Sequence, residues 1–572
     1  MGLFISIYIL NLFCFVLVSS FQHFNEDQSI PILSSSTRQW IDHLRQKYDV
    51  PGTSVVVVRS PRTVQSAWES EIITSGIADQ HHILDSRSLF SIASNTKLFT
   101  ALSIGILIDR NVCLPNGIPL AWTTKMEDIW SDWGLVDDTR KEATVEDLLT
   151  MRTGVPYHPY APNYSSRKKL LHSMRHLPSS TDFRSQWQYN NENYLLLSYI
   201  VPALTNVSFP DFVEKNIFHD LGMKGATFDA EKARATGKRT GVRLRFGGNR
   251  HKCLDAVGIN TTVEECLGKR KNIGWWTKGA GEATWGSAGL IMDSVDTGKW
   301  LAELLAPTTI PAHIIKQCIK PHIQSTHLAL TQAENASYGY AQWTYTYRKH
   351  KLYSHYGFQL GQHTLFATVP KAGIALAAMN TDHELGDALN EVIINTILDE
   401  LLGLDRVNWV EKVMRPVFER VAKKSELNLN CTSTPIDLSG TFHHPAWGNL
   451  TFTTVDPELA ARLSEYLPTI VLAHARQAAM NGRDDWYLLL IPCHDEHSKW
   501  LVVQLHDHMQ HDKVTPNAIA RLIGSGDASI DEKGMGLITG WFPEPNPKPA
   551  TDKGHCKASV QVWFNRTDAT QF

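Results

Sequence analysis

The spacing of apolar and polar residues predicts alternating helices and strands over the first two thirds of the chain. STRQWIDHLRQKY has helical spacing, and PGTSVVVVRS is an apolar run of strand length that begins at Pro51. Apolar residues recur at helical spacing from Lys97 to Arg110 and from Leu389 to Leu401, and Gly403 ends the second helix. HTLFATVP and GIALAAMN flank the turn-like KAG, which predicts a hairpin.

Two other regions have a different pattern. From Thr144 to about Leu290, segments such as TVEDLLTM and NENYLLLSYIV predict a helical insertion. Beyond about residue 427, the short runs NLTFTTV, DWYLLLI, WLVVQLH, GLITGWF and ASVQVWF predict a separate antiparallel sheet or small barrel, in which the Pro-rich FPEPNPKPA is a loop. We therefore expect an α/β (α+β) domain over residues 21–427 and an all-β domain over residues 428–572.

Length and charge agree with two folded units that bind no polyanion. A chain of 572 residues exceeds what one hydrophobic core usually organises. The formal net charge of -3 comes without a long run of Lys and Arg, so we do not expect a nucleic-acid partner. We also expect no cofactor.

The first residues have the character of a signal peptide. Residues 1–24 carry no charged side chain, and the apolar run ends at the small residues Ser19 and Ser20. We expect cleavage after residue 20 and secretion without a membrane anchor, because no later segment is long and apolar enough to span a bilayer. An uncleaved anchor helix is the alternative that the length of the run permits.

Sequons and cysteines fit the secretory pathway. Seven N-x-Ser/Thr sequons predict glycosylation, at Asn163, Asn206, Asn260, Asn335, Asn430, Asn449 and Asn565. Without Cys14, seven cysteines remain, so some should form disulfides and at least one should stay unpaired. Cys253 and Cys266 are close enough in sequence to close a local loop.

The segment SIASNTKLFT holds the first candidate for chemistry. Ser94 and Lys97 are three residues apart, which places both side chains on one face of a helix. Lys97 can accept the Ser94 proton only if its pKa falls well below about 10.4. The same spacing occurs twice in the hydrophilic NYSSRKKL, so by itself it also fits two neighbours on a solvated helix.

An ordered set of motifs strengthens the candidate. QWQYNNENYLLL presents Tyr189 and Asn191 before a helix, and LYSHYGFQLGQHT presents His355 and Gly357 on a strand. A serine, then Tyr-x-Asn, then a basic residue with glycine two positions later resembles the serine β-lactamase-related superfamily. That superfamily includes penicillin-binding proteins, class C β-lactamases, esterases, D-aminopeptidases and acyltransferases. The resemblance extends over roughly residues 37–403, for example in TVEDLLTMRTGV, SAGLIMDSVDTGKWL and YGYAQW.

The resemblance implies a role for each residue. Ser94 would be the acylated nucleophile and Lys97 its proton acceptor, while Asn191 would orient the substrate. Tyr189 would relay protons, for which its pKa must fall, and the charge of Lys97 would supply that shift. Backbone N–H groups of Ser94 and of Phe358, which follows Gly357, would hold the oxyanion.

One residue departs from the pattern of β-lactamases. His355 stands where those enzymes carry a lysine, and a histidine is mostly neutral near its usual pKa of about 6.5. The substitution resembles the esterase and aminopeptidase members and weakens the case for antibiotic hydrolysis. We also expect His355 and Gly357 to bind the substrate.

Two other kinds of motif give weaker indications of function. GSAG lacks the first glycine of a nucleophile elbow, because Trp285 stands there. The histidines of CHDEHSK and LHDHMQHD fit surface positions better than metal ligands, so we expect no metal site.

The sequence thus predicts a secreted, glycosylated serine hydrolase that cleaves an ester or amide of a small or peptide-like substrate. An acyltransferase with a non-water acceptor and a non-catalytic binding protein of the same fold remain the alternatives. The β-rich domain is similar to the lipocalin-like modules of some family members.

Overall fold

The computed structural model describes residues 31–61, 68–135, 141–160, 164, 166–254, 261–274, 284–325, 331, 333–423, 437–482, 485–493, 498–510, 513–541 and 560–567. The predicted signal peptide and the Pro-rich segment lie outside the described residues. So do the sequons at Asn163, Asn260 and Asn430.

An antiparallel sheet forms the centre of the first domain, in the order β2-β1-β12-β11-β10-β9-β8-β7. The strands up to residue 380 are β1 (Gly52–Arg59), β2 (Glu69–Gly76), β3 (Phe90–Ser91), β4 (Val242–Gly247), β5 (Gly268–Gly274), β6 (Ile291–Met292), β7 (Ile323–Gln324), β8 (Ala333–Tyr338), β9 (Trp343–Tyr347), β10 (His350–Gln359), β11 (Gln362–Val369) and β12 (Ile374–Asn380). β1 and β12 are apolar on both faces because helices cover the sheet on both sides.

The helices up to residue 423 lie around this sheet and between its strands, and the last two belong to the second domain. They are α1 (Ser35–Lys47), α2 (Thr96–Asp109), α3 (Met126–Ile129), α4 (Val145–Leu149), α5 (Arg167–Met174), α6 (Asn191–Ser198), α7 (Ile200–Thr205), α8 (Phe209–Val213), α9 (His219–Leu221), α10 (Ala230–Ala235), α11 (Val263–Leu267), α12 (Trp285–Ala288), α13 (Ser294–Leu305), α14 (Ala312–Cys318), α15 (Gly386–Leu401), α16 (Arg415–Lys423), α17 (Pro457–Leu463) and α18 (Thr469–His474). α13 packs on β1 and α15 on β11 and β12.

These elements confirm the mixed fold class, and most local predictions hold. α1, β1, α2, the β11–β12 hairpin and α15 lie where the apolar spacing places them. The helical insertion also contains the β4–β5 hairpin, which the sequence pattern did not indicate. The reason is that Arg243 and Arg245 on β4 are buried, so the polar residues of this strand do not mark a solvated face.

The second domain is a nearly closed antiparallel sheet, as expected for a barrel. Its strands are β13 (Thr441–His444), β14 (Gly448–Thr451), β15 (Thr453–Thr454), β16 (Arg476–Ala479), β17 (Trp486–Ile491), β18 (Ser498–Gln510), β19 (Lys513–Ile530), β20 (Gly534–Leu537) and β21 (Val562–Thr567), in the order β14-β13-β21-β20-β19-β18-β17-β16-β15. The sequence pattern missed α17, α18 and the long β19. β19 contains Pro516, Asn517, Gly524 and Gly526, residue types that are depleted in strands, which obscures its strand character.

The cysteines and sequons of the described residues fit the expectations. Cys253 and Cys266 form a disulfide, whereas Cys113 and Cys318 are free. The described sequon asparagines are all exposed, at Asn206, Asn335, Asn449 and Asn565. No single helix of the described ranges is long and apolar enough to cross a bilayer, although the pair over 191–205 and 209–221, bent by 78°, passes that test together.

A buried ion cluster holds β4 against the ends of β1 and β12. The Arg245 side chain is 1% exposed and bonds Asp49 and Asp382 at 3.1 Å each. Glu384 lies 3.9 Å from the same guanidinium, and burial with the nearby Asp382 charge raises the pKa of Glu384 to about 7. Because several charges share one buried cation, the loss of that cation leaves carboxylates uncompensated.

We expect Arg245→Met to destabilise the protein by about 3–5 kcal/mol, since one partner of a buried ion group is removed. Arg270→Met is the matched control, because Arg270 binds the same Asp49 at 2.8 Å but is 30% exposed, and it should cost only about 0–1 kcal/mol. Thermal unfolding of both variants checks the difference. Equal midpoints would show that Arg245 is not a structural anchor.

Candidate active site

Ser94 lies on a strained turn at the amino end of a buried helix. β3 leads into a 3-10 turn over Ala93–Asn95, and α2 starts directly afterwards. Ala93 has a φ of 44°, and its N–H donates to the Ser91 hydroxyl at 3.2 Å, which supports this unfavourable conformation. Ser94 is partly exposed although the residues on either side of it are buried. The turn therefore presents one hydroxyl to the solvent side.

Lys97 lies one helical turn later and is fully buried. Its Nζ is 2.9 Å from Ser94 Oγ, 2.7 Å from Asn191 Oδ1 and 2.8 Å from the carbonyl oxygen of Ser287. Burial lowers the pKa of Lys97 well below 10.5, and the charge of Glu192 only partly opposes this shift.

The hydrogen-bond contacts of Lys97 Nζ leave room for its neutral form to accept a proton. A neutral amine has two N–H groups and one lone pair, and the oxygens of Asn191 and Ser287 accept both hydrogens. In that form the lone pair is left for the Ser94 hydroxyl, whereas the ammonium form donates its third N–H to Ser94 Oγ at 2.9 Å. Lys97 thus meets the condition that the sequence set for a proton acceptor, and it has the geometry as well.

Tyr189 also contacts Ser94. Its phenol donates to Ser94 Oγ at 2.6 Å, and its ring centre lies 4.9 Å from Lys97 Nζ. Burial raises the pKa of Tyr189 above its usual value, although the bond with Ser94 opposes the rise. The expected lowering of this pKa by Lys97 is therefore wrong: burial disfavours the charged form of both groups.

The start of α6 places the Tyr-x-Asn motif. Asn190 caps the helix, because its Oδ1 accepts from the N–H of Asn193 at 2.8 Å. Its amide nitrogen donates to the carbonyls of Val155 and Pro156 at 3.1 and 3.0 Å. The residue between Tyr189 and Asn191 thus fixes both of them and ties them to the loop over residues 155–160.

The GSAG segment also contributes to the site. The carbonyl of Gly286 accepts from Thr100 Oγ1 at 2.8 Å, and the carbonyl of Ser287 accepts from Lys97. A Cβ at Gly286 would collide with Tyr194 and Ser198 of α6. The segment is not a nucleophile elbow, as expected, but its backbone joins α2 to α6 behind Lys97. A backbone oxygen leaves no residue-type signal, so the sequence could not identify it.

β10 passes close beside the nucleophile turn. A Cβ at Gly357 would collide with the carbonyl oxygen of Ile92 and with Thr364 Oγ1, so only glycine permits this approach. The Asn95 amide bridges the gap: with its nitrogen towards the His355 carbonyl (3.1 Å), its oxygen accepts from the N–H of Gly357 (3.3 Å). Asn95 is a positioning residue that the motif search did not select.

His355 is buried as a neutral imidazole. Its Nδ1–H donates to the Tyr356 carbonyl at 2.6 Å, so Nε2 accepts from the Tyr338 hydroxyl at 3.1 Å. The Trp343 ring lies 4.6 Å away. Burial, together with the Lys97 charge, lowers the pKa of His355 to about 3. This position therefore supplies no cation near neutral pH.

Aromatic rings lie next to Gly357 and next to Tyr189. The Phe358 side chain is 54% exposed and packs on the rings of His363 (4.8 Å) and His383 (5.3 Å). On the other side, the rings of Tyr157 and Trp187 lie 6.4 and 6.0 Å from that of Tyr189.

The structure thus brings Ser94, Lys97, Tyr189 and Asn191 together within hydrogen-bond distance. β10 brings Gly357 against the same turn.

Comparisons with known proteins agree with this geometry. Residues 37–395 match the protein family described as Beta-lactamase. The chain is 24% identical over 452 residues to Unguisins hydrolase ungD' of Aspergillus campestris, which covers 74% of this chain and 78% of that protein. It is 28% identical over 149 residues to Penicillin-binding protein 4* of Bacillus subtilis, with 24% of this chain and 30% of that protein covered.

One solved structure also resembles both domains. The octameric penicillin-binding protein homologue from Pyrococcus abyssi superimposes with a TM-score of 0.53 at 16% identity, and the match covers 89% of this chain and 98% of that chain. At this identity the similarity shows the fold alone.

Lys97 provides a direct test of the site. Lys97→Ala and Lys97→Arg should slow the labelling of Ser94 by a fluorophosphonate by about 10²–10⁴-fold, the usual contribution of a general base. Because only the neutral amine accepts a proton, the wild-type rate should rise with pH through the pKa of Lys97 and level off well below pH 10.5.

Lys169→Ala is the control for this test, because Lys169 follows Ser166 at the same spacing but is exposed, and Ser166 caps α5. Its labelling rate should equal that of the wild type. A Lys97→Arg variant that keeps the wild-type pH profile would contradict the assignment, since a guanidinium does not deprotonate in proteins.

Proposed function

The chain belongs to the Beta-lactamase family, and on that basis we propose that it hydrolyses a neutral ester or amide through an acyl-enzyme on Ser94. The observation that carries the proposal is the buried Lys97, whose Nζ lies 2.9 Å from a hydroxyl that a phenol also contacts. A binding protein would gain nothing from burying a lysine beside a serine, because burial of an amine costs free energy.

The first step is attack of Ser94 Oγ on the substrate carbonyl. The Ser94 proton passes to Lys97, and the new oxyanion is held by the backbone N–H groups of Ser94 and Phe358. The amino end of α2 favours negative charge at this position.

Collapse of the tetrahedral intermediate needs a proton on the leaving group. Tyr189 is placed to donate it, and the Lys97 ammonium then returns a proton to Tyr189. Because burial opposes a free phenolate, these two transfers must be coupled. Water attacks the acyl-enzyme in the second half-reaction by the same route in reverse, which restores Ser94 and releases the acid.

The surroundings favour an uncharged substrate. His355 is neutral and 1% exposed, so it does not pair with a substrate carboxylate as a lysine would. Tyr157, Trp187 and Phe358 line the site with rings. Unguisins hydrolase ungD', which matches 74% of this chain, is itself called a hydrolase, and the Bacillus subtilis relative is called a penicillin-binding protein. We therefore propose a peptide-like or apolar acyl group without a free carboxylate beside the scissile bond.

We further propose that the protein is secreted and glycosylated. The exposed positions of Asn206, Asn335, Asn449 and Asn565 support this, as does the Cys253–Cys266 disulfide.

A substrate panel tests the proposed reaction. The purified protein should label with a fluorophosphonate at Ser94 and should hydrolyse p-nitrophenyl esters and D-amino acid amides faster than a chromogenic cephalosporin. Ser94→Ala should abolish both labelling and turnover. Absence of labelling together with unchanged turnover in Ser94→Ala would overturn the proposal, and faster cephalosporin hydrolysis would overturn the role given to the neutral His355. Products with an added alcohol or amine would indicate acyl transfer instead.

Glycosylation has its own test. Protein secreted by a eukaryotic host should lose apparent mass on treatment with an amidase that removes N-linked glycans. Asn449→Gln and Asn565→Gln should each reduce this loss. A secreted protein whose mass equals that of the mature polypeptide would contradict the prediction.

A further inference from the structure

An aromatic contact between Tyr160 and the second sheet joins the two domains beside the active site. Tyr160 belongs to the first domain, yet its ring is 7% exposed among three tryptophans of the second. The ring centres of Trp541, Trp500 and Trp486 lie 4.6, 5.9 and 6.3 Å from it. A ring placed this way fills the barrel-like sheet, so the sheet acts as a socket for a segment of the catalytic domain.

The socket is shaped for a tyrosine. Val502 pairs with Gly524 and Val503 with Leu522, so Ile523 is the extra residue of a β-bulge in β19. The Tyr160 hydroxyl donates to the carbonyl of Ile523 at 3.5 Å. A Cβ at Gly524 would collide with the Tyr160 hydroxyl, so glycine is needed for the ring to enter. A bulge carbonyl and a glycine together accept one phenol.

The segment that ends at Tyr160 also forms one wall of the active site. Its first two carbonyls, those of Val155 and Pro156, accept from the Asn190 amide. The Tyr157 ring meets the Tyr189 ring edge-on at 6.4 Å, and the ring of His158 packs on Trp447 of the second domain at 5.7 Å. The six residues 155–160 therefore connect the catalytic phenol to the barrel.

We propose that Tyr160 is a positioning residue, and that the barrel acts through it to hold Tyr189 at Ser94. This inference rests on the proposed function, because it concerns the proton relay of that reaction. With the ring in its socket, the loop cannot shift, and the Asn190 cap and the Tyr157 ring keep the phenol 2.6 Å from Ser94 Oγ. A displacement of about 1 Å at such a contact costs about 10²-fold in rate.

The leaving group provides the readout. An amide needs a proton on its departing nitrogen, whereas p-nitrophenolate leaves unprotonated, so loss of the relay slows the amide far more than the activated ester. Tyr160→Ala should lower kcat for the amide by about 10²-fold and for the ester of the same acyl group much less, with KM little changed. Tyr189→Phe should give the same pattern. In the Tyr189→Phe background, Tyr160→Ala should add nothing further to the amide defect.

Three further variants separate positioning from folding. Tyr487→Ala is the matched control, because Tyr487 follows Trp486 on β17 but packs in the other hydrophobic cluster of the barrel. It should lower the melting temperature yet leave the amide-to-ester ratio unchanged. Gly524→Ala should reproduce the Tyr160→Ala ratio. Gly524→Ala combined with Tyr160→Phe should recover part of it, since phenylalanine removes the closer contact, that of the hydroxyl, and keeps only that of the ring carbon Cζ.

Hydrogen exchange tests the positioning role of Tyr160 independently of the reaction. Tyr160→Ala should speed exchange of the amides over residues 189–193, whereas Tyr487→Ala should not. If the wild type turns over neither substrate but this exchange difference is seen, the proposed reaction fails and the positioning holds. If the wild type is active and Tyr160→Ala changes neither the exchange nor the ratio, the inference is wrong.

Discussion

The burial of one amine determines how the rest of the site is built. Lys97 has no access to water, so its charged form loses hydration, and its pKa lies well below the usual value. Ser94 reaches this nitrogen from a strained turn. Asn191 and the Ser287 carbonyl must approach from α6 and α12. Several segments distant in sequence meet at this nitrogen, and a shift in any of them changes the basicity that the nucleophile needs.

The same constraint explains the character of the surroundings. A phenol beside a neutral amine stays protonated when both are buried, and a histidine between Tyr338 and Trp343 stays neutral. The charge of the nearby Glu192 favours the ammonium form of Lys97. The preorganised donors of the site act on the charge that develops in the reaction in a medium of low polarity.

Much of the fold and of the site could be predicted from the sequence, and each feature that was missed has a physical reason. Ser94, Lys97, Tyr189 and Asn191 could be identified from the sequence because each acts through its side chain. The carbonyl of Ser287 was not, since any residue type offers one. The β4–β5 hairpin was missed because Arg245 is buried by distant carboxylates, which no local pattern reveals. The prediction for the pKa of Tyr189 was wrong because it weighed a neighbouring charge and omitted burial.

The order of strands in the barrel has a consequence for biosynthesis. β21, at residues 562–567, lies between β13 and β20, so the sheet cannot assemble before that strand has left the ribosome. Trp541, which contacts Tyr160, is also translated late. The serine turn and its lysine, in contrast, emerge within the first hundred residues. A nascent chain therefore carries its nucleophile long before the support for its proton relay exists, and synthesis itself delays the onset of catalysis.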